Sequence, residues 1–326
     1  MVNRRPLRRI AVAFGQDSSE LDVLRERFPE IVFDSVDANG LGDVIEQADA
    51  AGMGWIDPAL FKDKATNLQW IQSQGAGVER FIEGGIVREG MLLTNGSGVM
   101  SENMAEHVIG MMLGFARNFP TLRDAQRRQD WKSGVGTETV FELGGQTAVL
   151  VGMGDIAIAT ARRLEAFGVR RIGVRRSRPN GEAIQYFDEV VGIDDLDSVL
   201  GEGHHVVSSV PHTPETRNLF NADRFARFRE GAYFYNVGRG TSVVQDDLIA
   251  ALKSGHLAGA GLDVTDPEPL PQGHPLWDAP NVFLTAHTAG ATPMFRKRLI
   301  ELFGENIARY QDGRPLINEV DVTRGY

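Results

Sequence analysis

Residues 147–164 read TAVLVGMGDIAIATARRL. The apolar run from Ala148 to Val151 suits a buried parallel strand. Gly152-Met153-Gly154 breaks that run. Ile156, Ala159, Thr160, Arg163 and Leu164 then recur three to four residues apart, as on a helix. Strand, glycine turn and helix form the opening half of a dinucleotide-binding unit. Gly152 permits the tight turn, and Gly154 lets backbone approach a pyrophosphate with no Cβ in the way. Ala157 takes the small position where helix meets strand. Met153 lies in the turn, and Asp155 and Ile156 open the helix, whose free amides and positive end would hold phosphates. The glycine spacing alone also fits a turn that binds nothing; the strand before it and the helix after it favour a nucleotide.

Downstream, the second strand of the unit covers 171–174. At its end a site for NAD wants an acidic residue on the ribose 2′-hydroxyl. The chain has Arg175-Arg176-Ser177-Arg178 there instead. Guanidinium forks and a hydroxyl are the groups that a 2′-phosphate needs. NADP(H) is therefore expected over NAD(H), which stays possible; a solvated basic face is the plain alternative. Further strands are expected at 204–210, 232–237, 258–264 and 282–285, with a helix at 246–253. Polar or charged residues follow each strand, on the rim where open α/β sheets bind ligands.

Upstream, strand candidates at 10–14, 31–36, 48–51, 70–73 and 91–94 alternate with helical stretches such as 19–28. This pattern predicts a parallel sheet covered on both faces. Gln74-Gly75-Ala76-Gly77-Val78-Glu79 is a glycine loop at a strand's carboxyl end. A long helix should start near Ser101, burying Met104, Val108, Met111, Met112 and Phe115, and cross into the second domain. Residues 117–145 read as polar and irregular. Trp131 within them marks a contact surface, either a subunit interface or, more ordinarily, packing within the chain. The last helix, near 294–309, has Phe295, Leu299, Leu302, Phe303 and Ile307 on one face and should return to the first domain.

A length of 326 residues suits two domains, and 42% hydrophobic with 24% charged residues is the balance of a soluble globular protein. The net charge of -10 argues against nucleic acid or an anionic membrane as partner. With no cysteine, disulfides, thiolate zinc sites and thiol catalysis are excluded. The apolar run at 10–14 is too short for a signal-peptide core, and no stretch is long enough to span a bilayer, so a cytoplasmic location is expected.

Among the strand-end residues, three point to chemistry. Arg239 stands between two glycines, so its guanidinium is open to a planar carboxylate. Glu268 lies between two prolines in a rigid turn. His287 follows a strand and precedes small residues. His204 and His205 face opposite ways on a strand, His107 falls in a helix, His256 and His274 in polar turns, and His212 lacks an adjacent carboxylate. Only His287 combines a strand end with a carboxylate partner, Glu268.

The ordered motifs GxGxxA, NVGRG, DPEPLP and His-Thr-Ala-Gly, with Asn218-Leu219 after Pro-Glu-Thr-Arg, resemble the D-isomer-specific 2-hydroxyacid dehydrogenase family. The resemblance extends from Gln74 to the last helix. The Arg-Ser-Arg turn and the HTAG ending are most similar to its NADPH-dependent glyoxylate/hydroxypyruvate reductases. It implies an α/β protein of two doubly wound parallel-sheet domains with the active site in the cleft between them. These are a flavodoxin-like substrate domain (1–100 plus 290–326) and a Rossmann nucleotide domain (101–289). It further implies reduction of a small 2-ketoacid to the D-2-hydroxyacid, usually by a homodimer built through the nucleotide domain. Arg239 would bind the substrate carboxylate and carbonyl, His287 would protonate the carbonyl oxygen, and Glu268 would orient His287. Asp263 would hold the nicotinamide carboxamide, Val210 and Val237 would line the cofactor through backbone, and Ala76 and Gly77 would offer amides to the carboxylate. Trp277 is a further candidate for substrate contact, with packing as the alternative. No metal is implied.

Two departures from the family pattern bear on pocket shape: Ala286 stands where proline is usual before the histidine, and Thr265 where an aromatic is common. Rival readings are a broader 2-ketoacid reductase, an NAD-linked phosphoglycerate or formate type, and a non-catalytic NAD(P)-sensing corepressor.

Overall fold

A computed structural model of the chain describes residues 4–15, 17–131, 137–177 and 183–325. The chain divides into two compact units, Met1–Met100 with Thr292–Tyr326, and Ser101–Ala291.

The first unit is a wholly parallel sheet of β1 (Arg9–Ala13), β2 (Val32–Ser35), β3 (Ala50–Met53), β4 (Trp70–Ser73) and β5 (Leu92–Thr94), in the order β2-β1-β3-β4-β5. That is the flavodoxin-like order. Helices α1 (Asp22–Arg27), α2 (Leu41–Val44) and α3 (Glu79–Glu83) connect the strands. β3 and β4 are buried along their whole length, as expected of strands covered on both faces. One face is covered by the C-terminal helix Phe295–Gln311, the predicted return. Leu299, Ile300, Phe303 and Ile307 join Ile10, Val12, Phe14 and Trp70 in one core. The Phe303 ring lies 5.2 Å from Trp70, and Tyr310 stacks on the same indole at 5.9 Å. A buried polar chain fixes the contact. Trp70 Nε1 donates to Thr94 Oγ1 (2.8 Å), Thr94 donates to Gln72 Oε1 (2.7 Å), and Asn306 Nδ2 donates to the same oxygen (3.1 Å).

The second unit opens with α4 (Ser101–Ala116) and α5 (Phe119–Arg127). Its sheet contains β6 (Thr147–Val151), β7 (Arg170–Arg175), β8 (Glu189–Gly192), β9 (His205–Ser208), β10 (Ala232–Asn236), β11 (Leu257–Leu262) and β12 (Val282–Leu284). The connecting helices are α6 (Asp155–Ala166), α7 (Leu196–Val199), α8 (Ala222–Phe225) and α9 (Gln245–Lys253). The strand order is β12-β11-β10-β9-β6-β7-β8, all parallel, with chain order reversing between β6 and β9. That reversal is the switch point of a doubly wound nucleotide fold.

Two expectations are corrected here. Residues 119–127, read as irregular, form α5. Pro120 sits in its first turn, where the missing N–H costs nothing, and Ala125 is its one buried side chain, with Phe119 and Leu122 exposed on the same face. Trp131 is fully exposed (101%), which rules out the reading of it as packed within its own chain. Among the described residues no helix is long and apolar enough to cross a membrane, and no group of His, Asp and Glu could hold a metal ion.

Candidate active site

At the switch point Gly152 has φ 93, a left-handed conformation that excludes ordinary side chains. A Cβ there would also press on Ser209 and Val210 at 3.1 Å. Ser209 Oγ donates to the Gly152 carbonyl (2.9 Å), tying the loop after β9 to the glycine turn. At Gly154, by contrast, an added Cβ would meet nothing within 4 Å. The backbone there is open to a ligand, just where the twelve-residue helix α6 begins at Asp155 and Ile156. Ala157 is buried, as its packing role requires. The half-buried Met153 lays its side chain over Gly173, where a Cβ would sit 2.6 Å from its sulfur. Val210 and Val237 likewise bury their side chains in the core. Arg175, Arg176 and Ser177 are exposed at the end of β7, and Arg178 lies outside the described residues. Nearby, Glu215 is held below the usual carboxylate range, first by hydrogen bonding from Thr213 and its own backbone, then by Arg176. An open glycine turn, a helix start and exposed guanidiniums on one rim fit a phosphorylated dinucleotide.

The three chemical candidates follow neighbouring strands β10, β11 and β12. Asn236 shapes the first loop: its Nδ2 donates to the Arg239 carbonyl (3.0 Å), and its Oδ1 accepts from Gly238 N (3.1 Å). Gly240 is essential to this packing, because a Cβ there would coincide with the Thr265 carbonyl. Arg239 is thereby set beside the turn that contains Glu268. Glu268 is held at both oxygens: Oε1 accepts from Thr265 N (2.9 Å), and Oε2 faces His287 Nδ1 at 2.9 Å. The pair is substantially exposed, 51% for the His287 side chain and 37% for Glu268. Exposed pairs add little to stability, so its value lies in orientation. With Nδ1 occupied, His287 presents Nε2 to a ligand.

Asp263 is the hub beneath His287. It is 1% exposed, and its carboxylate accepts from Thr285 Oγ1 (2.6 Å), Thr288 N (2.8 Å) and Ala289 N (2.9 Å). Its carbonyl accepts from His287 N (2.8 Å). This clasp holds His287 at φ 53, a conformation uncommon for a non-glycine residue. Sequence reasoning gave Asp263 a cofactor contact and missed this internal load. It also gave no structural task to Asn236, Gly240 and Thr265, whose tasks are set by packing between strands far apart in sequence.

In the first unit the Gly75–Gly77 loop is fixed from β5: Asn95 Nδ2 donates to the Ala76 carbonyl (3.0 Å), and Gly96 N to the Gly75 carbonyl (2.9 Å). Ala76 is exposed and Gly77 half-buried. Trp277 is 54% exposed, with its indole N–H already bonded to the Pro271 carbonyl (2.9 Å). The remaining histidines have structural partners. His205, completely buried, bonds Tyr235 Oη (3.0 Å) and Gln146 Oε1 (2.7 Å), and burial lowers its pKa to about 3. His204 on the other face accepts from Thr147 N (3.1 Å). His212 Nδ1 meets Thr241 Oγ1 (2.7 Å).

Residues 109–289 match the family model described as the D-isomer specific 2-hydroxyacid dehydrogenase, NAD binding domain. The chain is 35% identical over 257 residues to the glyoxylate reductase of Thermofilum pendens, covering 75% of this chain and 72% of that protein. It is 32% identical over 268 residues to the human glyoxylate reductase/hydroxypyruvate reductase, covering 81% and 80%. In structure it resembles the NADPH-dependent glyoxylate/hydroxypyruvate reductase of Sinorhizobium meliloti, solved in complex with NADP and sulfate. That likeness has a TM-score of 0.83 at 29% identity over 98% of this chain and 100% of the other.

Proposed function

Since the chain belongs to the D-isomer specific 2-hydroxyacid dehydrogenase family of NAD(P)-dependent oxidoreductases, we propose that it reduces a small 2-ketoacid, of glyoxylate or hydroxypyruvate type, to the D-2-hydroxyacid with NADPH. The observation that carries this reading is the 2.9 Å bond from His287 Nδ1 to Glu268 Oε2, next to the Arg239 loop. Hydride addition to a ketone leaves an alkoxide unless a proton arrives with it. Protonated His287 gives that proton from Nε2 to the carbonyl oxygen, while Glu268 holds the ring and balances its charge. Arg239 takes the carboxylate through its planar fork and polarises the carbonyl. In the first unit, the amides of Ala76 and Gly77 are the proposed further anchor for the carboxylate, and Trp277 the proposed edge of the substrate pocket.

NADPH, when bound, supplies the hydride. The proposed contacts are the backbone of Gly152, Met153 and Gly154, the helix start at Asp155 and Ile156, and the backbone of Val210 and Val237. Asp263, with most of its acceptor capacity already used, is proposed to offer a remaining lone pair to the carboxamide. Arg175, Arg176, Ser177 and Arg178 would receive the 2′-phosphate; the NADP complex of the Sinorhizobium relative supports that preference. Residues 1–100 plus 290–326 act as the substrate domain and 101–289 as the nucleotide domain. Exposure of Phe119 (55%), Leu122 (43%) and Trp131 (101%) supports a homodimer through the nucleotide domain, which sedimentation would test.

The test is turnover of glyoxylate, hydroxypyruvate and larger 2-ketoacids with NADPH and NADH. His287→Ala should lower kcat by about 10²- to 10⁴-fold. A protein that reduces no 2-ketoacid, or a His287→Ala variant with full activity, overturns the proposal.

A further inference from the structure

Two side chains of α4 reach the segment that contains His287 and have no part in the scheme above. Asn103 Nδ2 donates to the Ala289 carbonyl (2.8 Å). One turn on, His107 Nε2 lies 3.1 Å from Thr285 Oγ1. Residues four apart share a helix face, so α4 grips both sides of His287, at 285 and at 289. The helix can come this close because glycines stand at the contact. A Cβ on Gly114 would lie 2.8 Å from the Phe283 ring, and one on Gly261 2.7 Å from Met111 Sδ.

The proton order in this chain is determined. Thr285 has one hydroxyl hydrogen, and the 2.6 Å contact to Asp263 Oδ1 takes it, because a carboxylate can only accept. His107 Nε2 must then be the donor to Thr285 Oγ1. A donor on that oxygen turns the hydroxyl toward Asp263, and Asp263 in turn accepts from Thr288 N, Ala289 N and His287 N. We infer that His107 is a positioning residue for the proton donor, acting through Thr285 and Asp263 to keep the His287 backbone left-handed and its ring against Glu268. Asn103 fastens the far side of the same loop. The catalytic part of this inference rests on the function proposed above; the geometric part stands without it.

The experiment compares His107→Leu, His107→Gln, Thr285→Val and the His107→Leu/Thr285→Val double variant in the full chain. Gln places an amide donor near the position of Nε2; Leu has none. Amide hydrogen exchange at 287–289 should quicken ~10-fold or more in His107→Leu, stay near wild type in His107→Gln, and be unchanged at 148–151 in all. With the best ketoacid, kcat should fall about ten- to a hundredfold in His107→Leu, with KM within about twofold, since a small misplacement of a catalytic group acts on the chemical step. The double variant should cost little more than either single one, as for residues in one network. Wild-type exchange in His107→Leu, a Gln variant no better than Leu, or additive single effects would overturn the inference. If the wild type reduces no ketoacid, the proposed reaction fails, and the exchange data alone decide the positioning role. Should His107→Leu not fold, Thr285→Val and His107→Gln still give opposite expectations.

Discussion

Acid should weaken the second unit through one histidine. His205 is 0% exposed at the start of β9 and bonds Tyr235 and Gln146. Gln146 Oε1 can only accept, so His205 Nε2 carries the hydrogen and Nδ1 accepts from the tyrosine. Burial lowers its pKa from 6.5 to about 3, with His204 adding to the effect. In the unfolded chain the ring takes a proton near pH 6.5, so between the two values the unfolded state binds more protons and stability falls with pH. The contribution is complete above the unfolded pKa and is lost as pH drops toward the folded one. At pH 5.0 the loss relative to pH 7.5 comes to about 2 kcal/mol by linkage, and barely changes for any folded value below about 4. Urea unfolding at both pH values, for wild type and His205→Gln, measures it. Gln can bond both partners but cannot titrate, so the other groups cancel in the difference. Equal acid sensitivity of the two proteins would refute the reasoning.

Gly240→Ala should lower kcat/KM sharply and destabilise by about 1–3 kcal/mol, because the new methyl displaces the Thr265 carbonyl and with it Glu268; steady-state kinetics and thermal melts check both. Asn306→Leu should cost about 1–3 kcal/mol in urea unfolding, since Ile317 N and its carbonyl lose their partners inside the first unit. Replacing Arg175 and Arg176 by Asp should cut kcat/KM for NADPH by about ten- to a hundredfold while sparing NADH, as loss of charge-assisted bonds to one phosphate predicts; equal losses with both cofactors would count against the 2′-phosphate role.

The nucleotide crevice was legible because its parts are local: an apolar run, two glycines and a helix start lie within one short stretch. Glu268 and His287 were legible as a pair from strand-end motifs, and their 2.9 Å bond agrees with that expectation. What escaped notice is non-local. Asp263 looks like any acid at a strand end until the loop after β12 is seen wrapped around it. His107 and Thr285 are separated by the whole nucleotide fold, and no pattern in either segment refers to the other. Helix α5 escaped for a different reason: it is short and mostly polar, and of its apolar side chains Phe119, Leu122 and Ala125 only Ala125 is buried.

The core of the first unit draws on both ends of the chain, Ile10, Val12 and Trp70 from one and Phe303 and Ile307 from the other. The ribosome therefore delivers its last pieces only after the entire second unit has emerged. Until then an early sheet waits with one greasy face uncovered, whereas Ser101–Ala291 is one unbroken stretch of chain. Order of synthesis and order of completion are thus opposed for the two halves, and premature termination near residue 292 would strand the earlier-made one.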